Sequence, residues 1–392
     1  MLKKNLTYST IFVLVSALLC TCKDKYLPPV IQTNLNFLVV DGQLINGGDS
    51  TIIRLSRTRK LDESTVGAGE QNAQMTVEDE EGNTLYNFVQ VDANGNYAVP
   101  GMNLDLSRKY HIRINTNDGN QYVSDDIQIK NTPPIDSISW QQTPAGVTIY
   151  ANTHDPQSNS IYYRWDYIEV WDYYTTYYSV VKYVPSANNF NDMFPPREPN
   201  EMVFHCWRTI KSNQILTSST AKLSEDRVNL FPVRFIPRDA IELAAIYSVL
   251  VKQYAITKDA YEYFENIKRI SEQTGSLFDA QPSDLGSNIH CINNTGEQVI
   301  GFLTGCSLQQ QRIFITNDQV RPWKFQTYCP PKRKVPLIID SLKFFFGSTA
   351  PQLTPIEKVY DPTFSGVNGG LPSCSDCLSQ GGTNVKPDFW PY

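Results

Sequence analysis

The residues that could do chemistry in this chain are four histidines, eight cysteines and one dense run of aromatic side chains. His205-Cys206 and His290-Cys291 each set an imidazole beside a thiol, the pair from which a base-activated thiolate nucleophile is built. On a strand, adjacent side chains point to opposite faces. Neither dipeptide is therefore a dyad by itself, and a cross-pair such as His205 with Cys291 depends on the fold. His111 and His154 stand apart. No His-Glu-x-x-His, Gly-x-Ser-x-Gly or phosphate-loop pattern occurs, and no catalytic residue is assigned. Cys374-x-x-Cys377 has the spacing of half a zinc site, but zinc takes four ligands and no second pair exists. A redox Cys-x-x-Cys belongs in a βαβ setting, whereas this one sits among Gly and Ser. It reads as disulfide cysteines, bonded to each other or to a partner such as Cys329. No metal and no cofactor is expected.

The aromatic run covers Tyr162–Tyr183. Trp165, Tyr167 and Trp171 share one strand parity, with Glu169 between them. Exposed rings of this kind stack on sugars or anchor a partner; buried ones fill a core. Both readings stand at the level of sequence.

The N-terminus carries a different signal. Lys3 and Lys4 precede an apolar run, Ile11-Phe-Val-Leu-Val-Ser-Ala-Leu-Leu19. A bilayer span needs about 20 residues, and this run has the length of a signal-peptide core. It ends in Leu19-Cys20-Thr21-Cys22, which resembles a lipobox: an aliphatic residue at −3, a small residue at −1, then the lipidated cysteine. Cys22 fits; Cys20 does not, because Leu19 would stand at −1. Residues 1–21 are expected to be a signal peptide and Cys22 the lipid attachment point. Each buried acyl CH₂ contributes about 0.8 kcal/mol, so several chains on one residue hold firmly where one does not. Lys23-Asp24-Lys25 is similar to the lysine-plus-acid pattern that follows the lipid cysteine in surface-displayed lipoproteins. It points to the outer membrane and leaves inner against outer leaflet open.

The 392 residues carry a net charge of −6, and loss of Lys3 and Lys4 with residues 1–21 takes it to −8, from 32 basic and 40 acidic side chains. That argues against nucleic acid as a partner, since a basic face is what phosphate backbones attract. With Cys20 removed and Cys22 lipidated, Cys206, Cys291, Cys306, Cys329, Cys374 and Cys377 remain. An even number in an oxidising compartment reads as disulfides; six allow fifteen pairings, and sequence does not choose among them.

The elements that must position these residues are mainly β. Tyr and Pro are abundant, with 22 and 24 copies. Residues 22–34 read as a proline-broken tether. Over 35–131, alternating strands separated by Glu81-Gly82-Asn83, Asn94-Gly95-Asn96 and Asp118-Gly119 predict an Ig-like β-sandwich. Thr132-Pro-Pro-Ile135 marks a boundary. A second β-rich domain follows over 135–346. It holds one inserted helix at about 258–274, capped by Thr257, with Ala260, Phe264, Ile267 and Ile270 at helical spacing and Gly275 at its end. Residues 347–392, rich in Pro, Gly, Ser and Thr, read as an extended tail holding Cys374 and Cys377.

The order of these features resembles domain of unknown function 4249, a family of Bacteroidota outer-membrane lipoproteins. The residues that carry the resemblance are Phe37-Leu-Val-Val-Asp-Gly42, Ile53-Arg-Leu-Ser56, Tyr163-Arg-Trp-Asp-Tyr-Ile-Glu-Val-Trp171 and Cys206-Trp207. They continue through Tyr247–Tyr254, Gly275–Pro282 and Cys374-Ser-Asp-Cys377 to Lys386-Pro-Asp-Phe-Trp390. The resemblance implies an envelope lipoprotein, of a kind that often accompanies TonB-dependent outer-membrane transporters, and it implies no reaction. The expectation is a non-enzymatic accessory or binding protein, held to the membrane by its N-terminal lipid beside such a transporter or another outer-membrane complex. The alternative is a glycan-binding module using the Trp165–Trp171 strand.

Overall fold

The structure, a computed structural model, describes residues 36–59, 69–273, 286–325 and 327–391. The expected signal peptide, the expected lipid attachment at Cys22 and the expected tether lie outside these residues. The chain is mainly β, arranged in several sheets.

The first sheet of the N-terminal sandwich orders its strands as Val299–Ile300, Leu38–Gly42, Thr51–Arg57, Asn96–Val99 and Val89–Gln90. The facing sheet is built around Lys109–Asn115, which pairs with Gln74–Asp79 on one side and with Gln121–Ser124 and Ile127–Lys130 on the other. Strict alternation explains the packing. Tyr110, Ile112 and Ile114 point inward, as do Ile53 and Leu55 from the first sheet, and all are buried. Each enclosed aliphatic side chain contributes about 1.5–3 kcal/mol.

The sandwich is not completed by residues 35–131 alone. Ile289–Cys291 pairs with Gln121–Ser124, Val299–Ile300 with Leu38–Gly42, and Gly305–Ser307 with both Leu44–Asn46 and Ile127–Lys130. Ile289, Val299 and Leu303 enter the first core. Arg57, itself paired with Glu70 at 2.7 Å, fixes the returning segment by an ion pair to Glu297 at 3.1 Å. The chain thus leaves the first sandwich, builds most of the second, and comes back.

In the second sandwich, a three-stranded sheet (Ile135–Thr143, Gly146–His154, Arg227–Pro237) covers one face of a larger sheet. That larger sheet is organised by one long strand, Tyr162–Tyr174, which runs between His205–Lys211 and Ile246–Ala255; Gln309–Thr316 follows at the edge. The helix Lys258–Gln273 packs beside the start of the long strand, and Thr257 Oγ1 accepts from the Ala260 N–H at 3.3 Å.

The proline junction is clamped from both sides. The Thr132 N–H donates to Ser307 Oγ at 2.9 Å, and the Ala255 N–H donates to Thr132 Oγ1 at 3.0 Å.

Of residues 347–392, expected as an extended tail, the described residues 347–391 are a folded part of the molecule. Thr354–Tyr360 and Phe364–Gly370 form a hairpin whose second strand also pairs with Arg333–Pro336. The short helix Ile339–Phe346 joins them through Leu342 and Phe346, over a core shared with Val181, Phe194 and Val367. The glycines that resembled a coil are required by close approach: a Cβ on Gly366 would meet the Val335 carbonyl oxygen at 2.7 Å. The final segment, Pro387 to Trp390, folds back on the larger sheet, where Trp390 packs with Val170 and Trp207.

Candidate functional site

The parity of the long strand settles the place of the aromatic candidates. Trp165, Tyr167 and Trp171 face the three-stranded sheet and are 0%, 5% and 2% exposed. Trp165 stacks on Phe231 with ring centroids 4.3 Å apart, and its indole N–H donates to Gln253 at 2.9 Å. Glu169, on the same face, accepts from Arg234 at 3.0 Å and from the Tyr247 hydroxyl at 2.9 Å. Burial, then the neighbouring Glu169 carboxylate, raises the Tyr247 hydroxyl well above its ordinary pKa. As ligand-binding residues, Trp165, Tyr167 and Trp171 are therefore corrected: they are core. The glycan-binding reading of that strand loses its basis, because no sugar reaches rings enclosed between two sheets.

Two disulfides join Cys206 to Cys377 and Cys329 to Cys374, so the Cys374-x-x-Cys377 pair is bonded outward and not within itself. Cys291 and Cys306 depart from the disulfide expectation. Both are buried and free. Their strands flank positions Tyr122 and Lys130 of the same stretch. Eight residues at about 3.3 Å each put them roughly 26 Å apart, far beyond the 4.4–6.8 Å between Cα atoms that a disulfide bridges. Burial pushes the Cys306 thiol up to about 12.

Each histidine lies against an aspartate: His111 with Asp126, His154 with Asp136, His205 with Asp172 and His290 with Asp125. The cross-pair His205–Cys291 does not form, since the two residues belong to different sandwiches. His205 is stacked between Tyr174 and Trp207, with centroids 4.1 and 4.2 Å away. Among the described residues, no group of three or more His, Cys, Asp or Glu side chains is placed to hold a metal ion.

A polar cleft of about 380 Å³ opens on the other face of the long strand, between the helix, the turn after Lys211 and the first strand of the N-terminal sandwich. Arg164, Asp166, Lys211, Lys252 and Asp41 line it. Arg164 stands 5.2 Å from the Tyr254 ring centroid and 4.9 Å from that of Phe264. Its Nη2 donates to Asp166 at 2.8 Å, while its buried Nε–H finds no acceptor among the described residues. Burial works against the Arg164 charge, Asp166 and Tyr254 work for it, and the balance holds the guanidinium above its ordinary pKa. Sequence reasoning missed this site. Its residues are spread from Asp41 to Phe264 and form no motif, and only the even parity of Arg164, Asp166 and Ile168, opposite to that of Trp165 and Tyr167, marked a second face.

Fold and cleft together describe a β-sandwich protein stapled by disulfides, with a polar crevice between its units. The chain belongs to the family described as domain of unknown function DUF4249, whose model matches residues 23–312, about three quarters of the chain. No curated protein matches the sequence. Among solved structures, Escherichia coli alpha-2-macroglobulin activated by porcine elastase aligns at 14% identity over 57% of this chain, with a TM-score of 0.19. The chain spans only 18% of that protein's length. The structure of manganese lipoxygenase of Gaeumannomyces graminis with partial zonadhesin of Komagataella pastoris aligns at 12% identity, over 57% of this chain and 90% of the other, with a TM-score of 0.14. Neither likeness bears on fold or function here.

Proposed function

We propose that this chain is a non-enzymatic lipoprotein of the outer membrane, cut before Cys22, held by acyl chains on that residue, and displayed as an accessory or binding subunit beside a transporter or other outer-membrane β-barrel complex. The observation that carries this reading is where the family match starts. It begins at Lys23, the residue after Cys22. The matched stretch, residues 23–312, then lies wholly within the part that would remain after cleavage at the lipobox. Among the described residues, no helix is long and apolar enough to cross a membrane, so the lipid would supply the attachment. The clamped junction at Thr132 and the two disulfides favour a stiff body that presents fixed surfaces to a partner.

Affinity purification of the tagged chain from detergent-solubilised outer membranes tests the partner. Co-purification of a β-barrel protein in fixed ratio is the expected result. Recovery of the chain alone contradicts it. Protease treatment of intact cells tests display: loss of the protein before lysis is expected, and protection until lysis would place it on the inner leaflet.

A further inference from the structure

We propose that the cleft at Arg164 binds a small oxyanion, a ligand presenting a carboxylate or a phosphate group. The cleft concentrates positive charge. The chain is acidic overall, at −6, yet this cleft gathers Arg164, Lys211 and Lys252 against Asp41 and Asp166. Asp166 is committed to Arg164. Neither lysine ammonium forms an ion pair among the described residues, so with Asp166 taken by Arg164 the two cations share the crevice with the single carboxylate of Asp41 and leave it a net positive charge.

The strand register brings the two lysines to one face. Lys252 lies directly across from Asp166 on one neighbouring strand, and Lys211 directly across from Ile168 on the other. Side chains opposite one another in a ladder share a face, so both lysines rise on the face that holds Arg164. Two strand spacings and two residues along the strand put their Cα atoms about 12 Å apart. Lysine arms of ordinary length then reach one group held between them.

Arg164 supplies the fixed element. Flanked by Tyr254 and Phe264, its guanidinium is pre-set before any ligand arrives, and a planar fork of five donors suits an oxyanion better than a mobile ammonium does. One edge is taken by Asp166, and donors remain. Ser212, Asn213 and Gln214 add neutral hydrogen-bonding groups at the rim. The volume, about 380 Å³, lies toward the small end of the 300–1,000 Å³ typical of ligand sites. It suits a dicarboxylate or a phosphate ester.

The test is calorimetric titration of the full-length protein, purified in detergent at low salt, with inorganic phosphate, with succinate, and with succinamide as the neutral isostere. The expected result is one saturable site per chain for phosphate or succinate, weakening as salt rises, with no heat from succinamide. Which anion saturates identifies the source of the oxyanion. In the double variant K211M/K252M, affinity is expected to fall about tenfold or more, as loss of charged hydrogen bonds implies, with the melting temperature unchanged. Absence of saturable binding by either anion overturns the proposal, as does equal binding of succinamide or undiminished affinity in K211M/K252M. The wild-type titration decides even without the variant. The inference does not rest on membrane attachment, so failure here leaves the anchoring and partner reading untouched.

Discussion

At Trp165 the indole lies between Phe231 and the buried amide of Gln253, and that amide also donates to the Pro133 carbonyl and Thr153 Oγ1. One side chain thus ties the aromatic strand to the linker between the sandwiches. Trp165→Ala is expected to lower stability by about 3–5 kcal/mol, the cost of a large cavity in a packed core, measured by chemical denaturation. A glycan-contact residue on the surface would cost little. The thiols give a second expectation. Native mature protein should show no reaction with an aromatic disulfide reagent, and denatured, unreduced protein should release two thiols per chain, from Cys291 and Cys306. More than two would contradict the Cys206–Cys377 and Cys329–Cys374 bonds. Sequence parity alone placed Trp165, Tyr167 and Trp171 on one face. It carried no information on which face is covered, because the covering strands come from 135–154 and 227–237.

Two elements were hidden in the sequence for physical reasons. The strands Ile289–Cys291 and Gly305–Ser307 hold three residues each, too few for a period-2 pattern to show; Val299–Ile300 was legible as strand, but not its pairing with Leu38–Gly42. The hairpin Thr354–Gly370 contains Pro355 and the glycines 366, 369 and 370, residues usually depleted in strands. Gly366 is there because the Val335 backbone comes close, and Gly369 and Gly370 because the side chains of Leu353 and Ile356 do; Gly366→Val is expected to disrupt pairing with Arg333–Pro336, seen as new protease cleavage within 333–370. The helix Lys258–Gln273 was legible, since its cap and apolar spacing are local signals. The Cys206–Cys377 disulfide closes a separation of 171 residues. Its removal in C206S/C377S is expected to cost about 2–5 kcal/mol, read from denaturation midpoints under non-reducing conditions. An unchanged midpoint would mean that the C-terminal segment is held by packing alone.

At the scale of the molecule, the chain's return to its first sandwich makes the two units interdependent. A fragment ending at residue 131 leaves strand edges unpaired where Ile289–Cys291, Val299–Ile300 and Gly305–Ser307 belong, and it removes Ile289, Val299 and Leu303 from the core. That fragment is expected to remain unfolded or aggregate, judged by amide dispersion in its NMR spectrum, whereas the full chain folds. A well-dispersed spectrum from the fragment would contradict the interleaving. The same long-range assembly explains why the cleft could not be read in advance: Asp41, Arg164, Lys211 and Lys252 meet only after both sandwiches close. The lipobox-like run Leu19–Cys22, by contrast, is contiguous, and the proposed membrane attachment rests on it. The most direct measurement is the intact mass of the protein recovered from native membranes. The expected result is a polypeptide beginning at Cys22 and heavier than residues 22–392 by the glyceryl and acyl groups it carries. The mass of the unprocessed chain, or of an unmodified chain cut elsewhere, would contradict it.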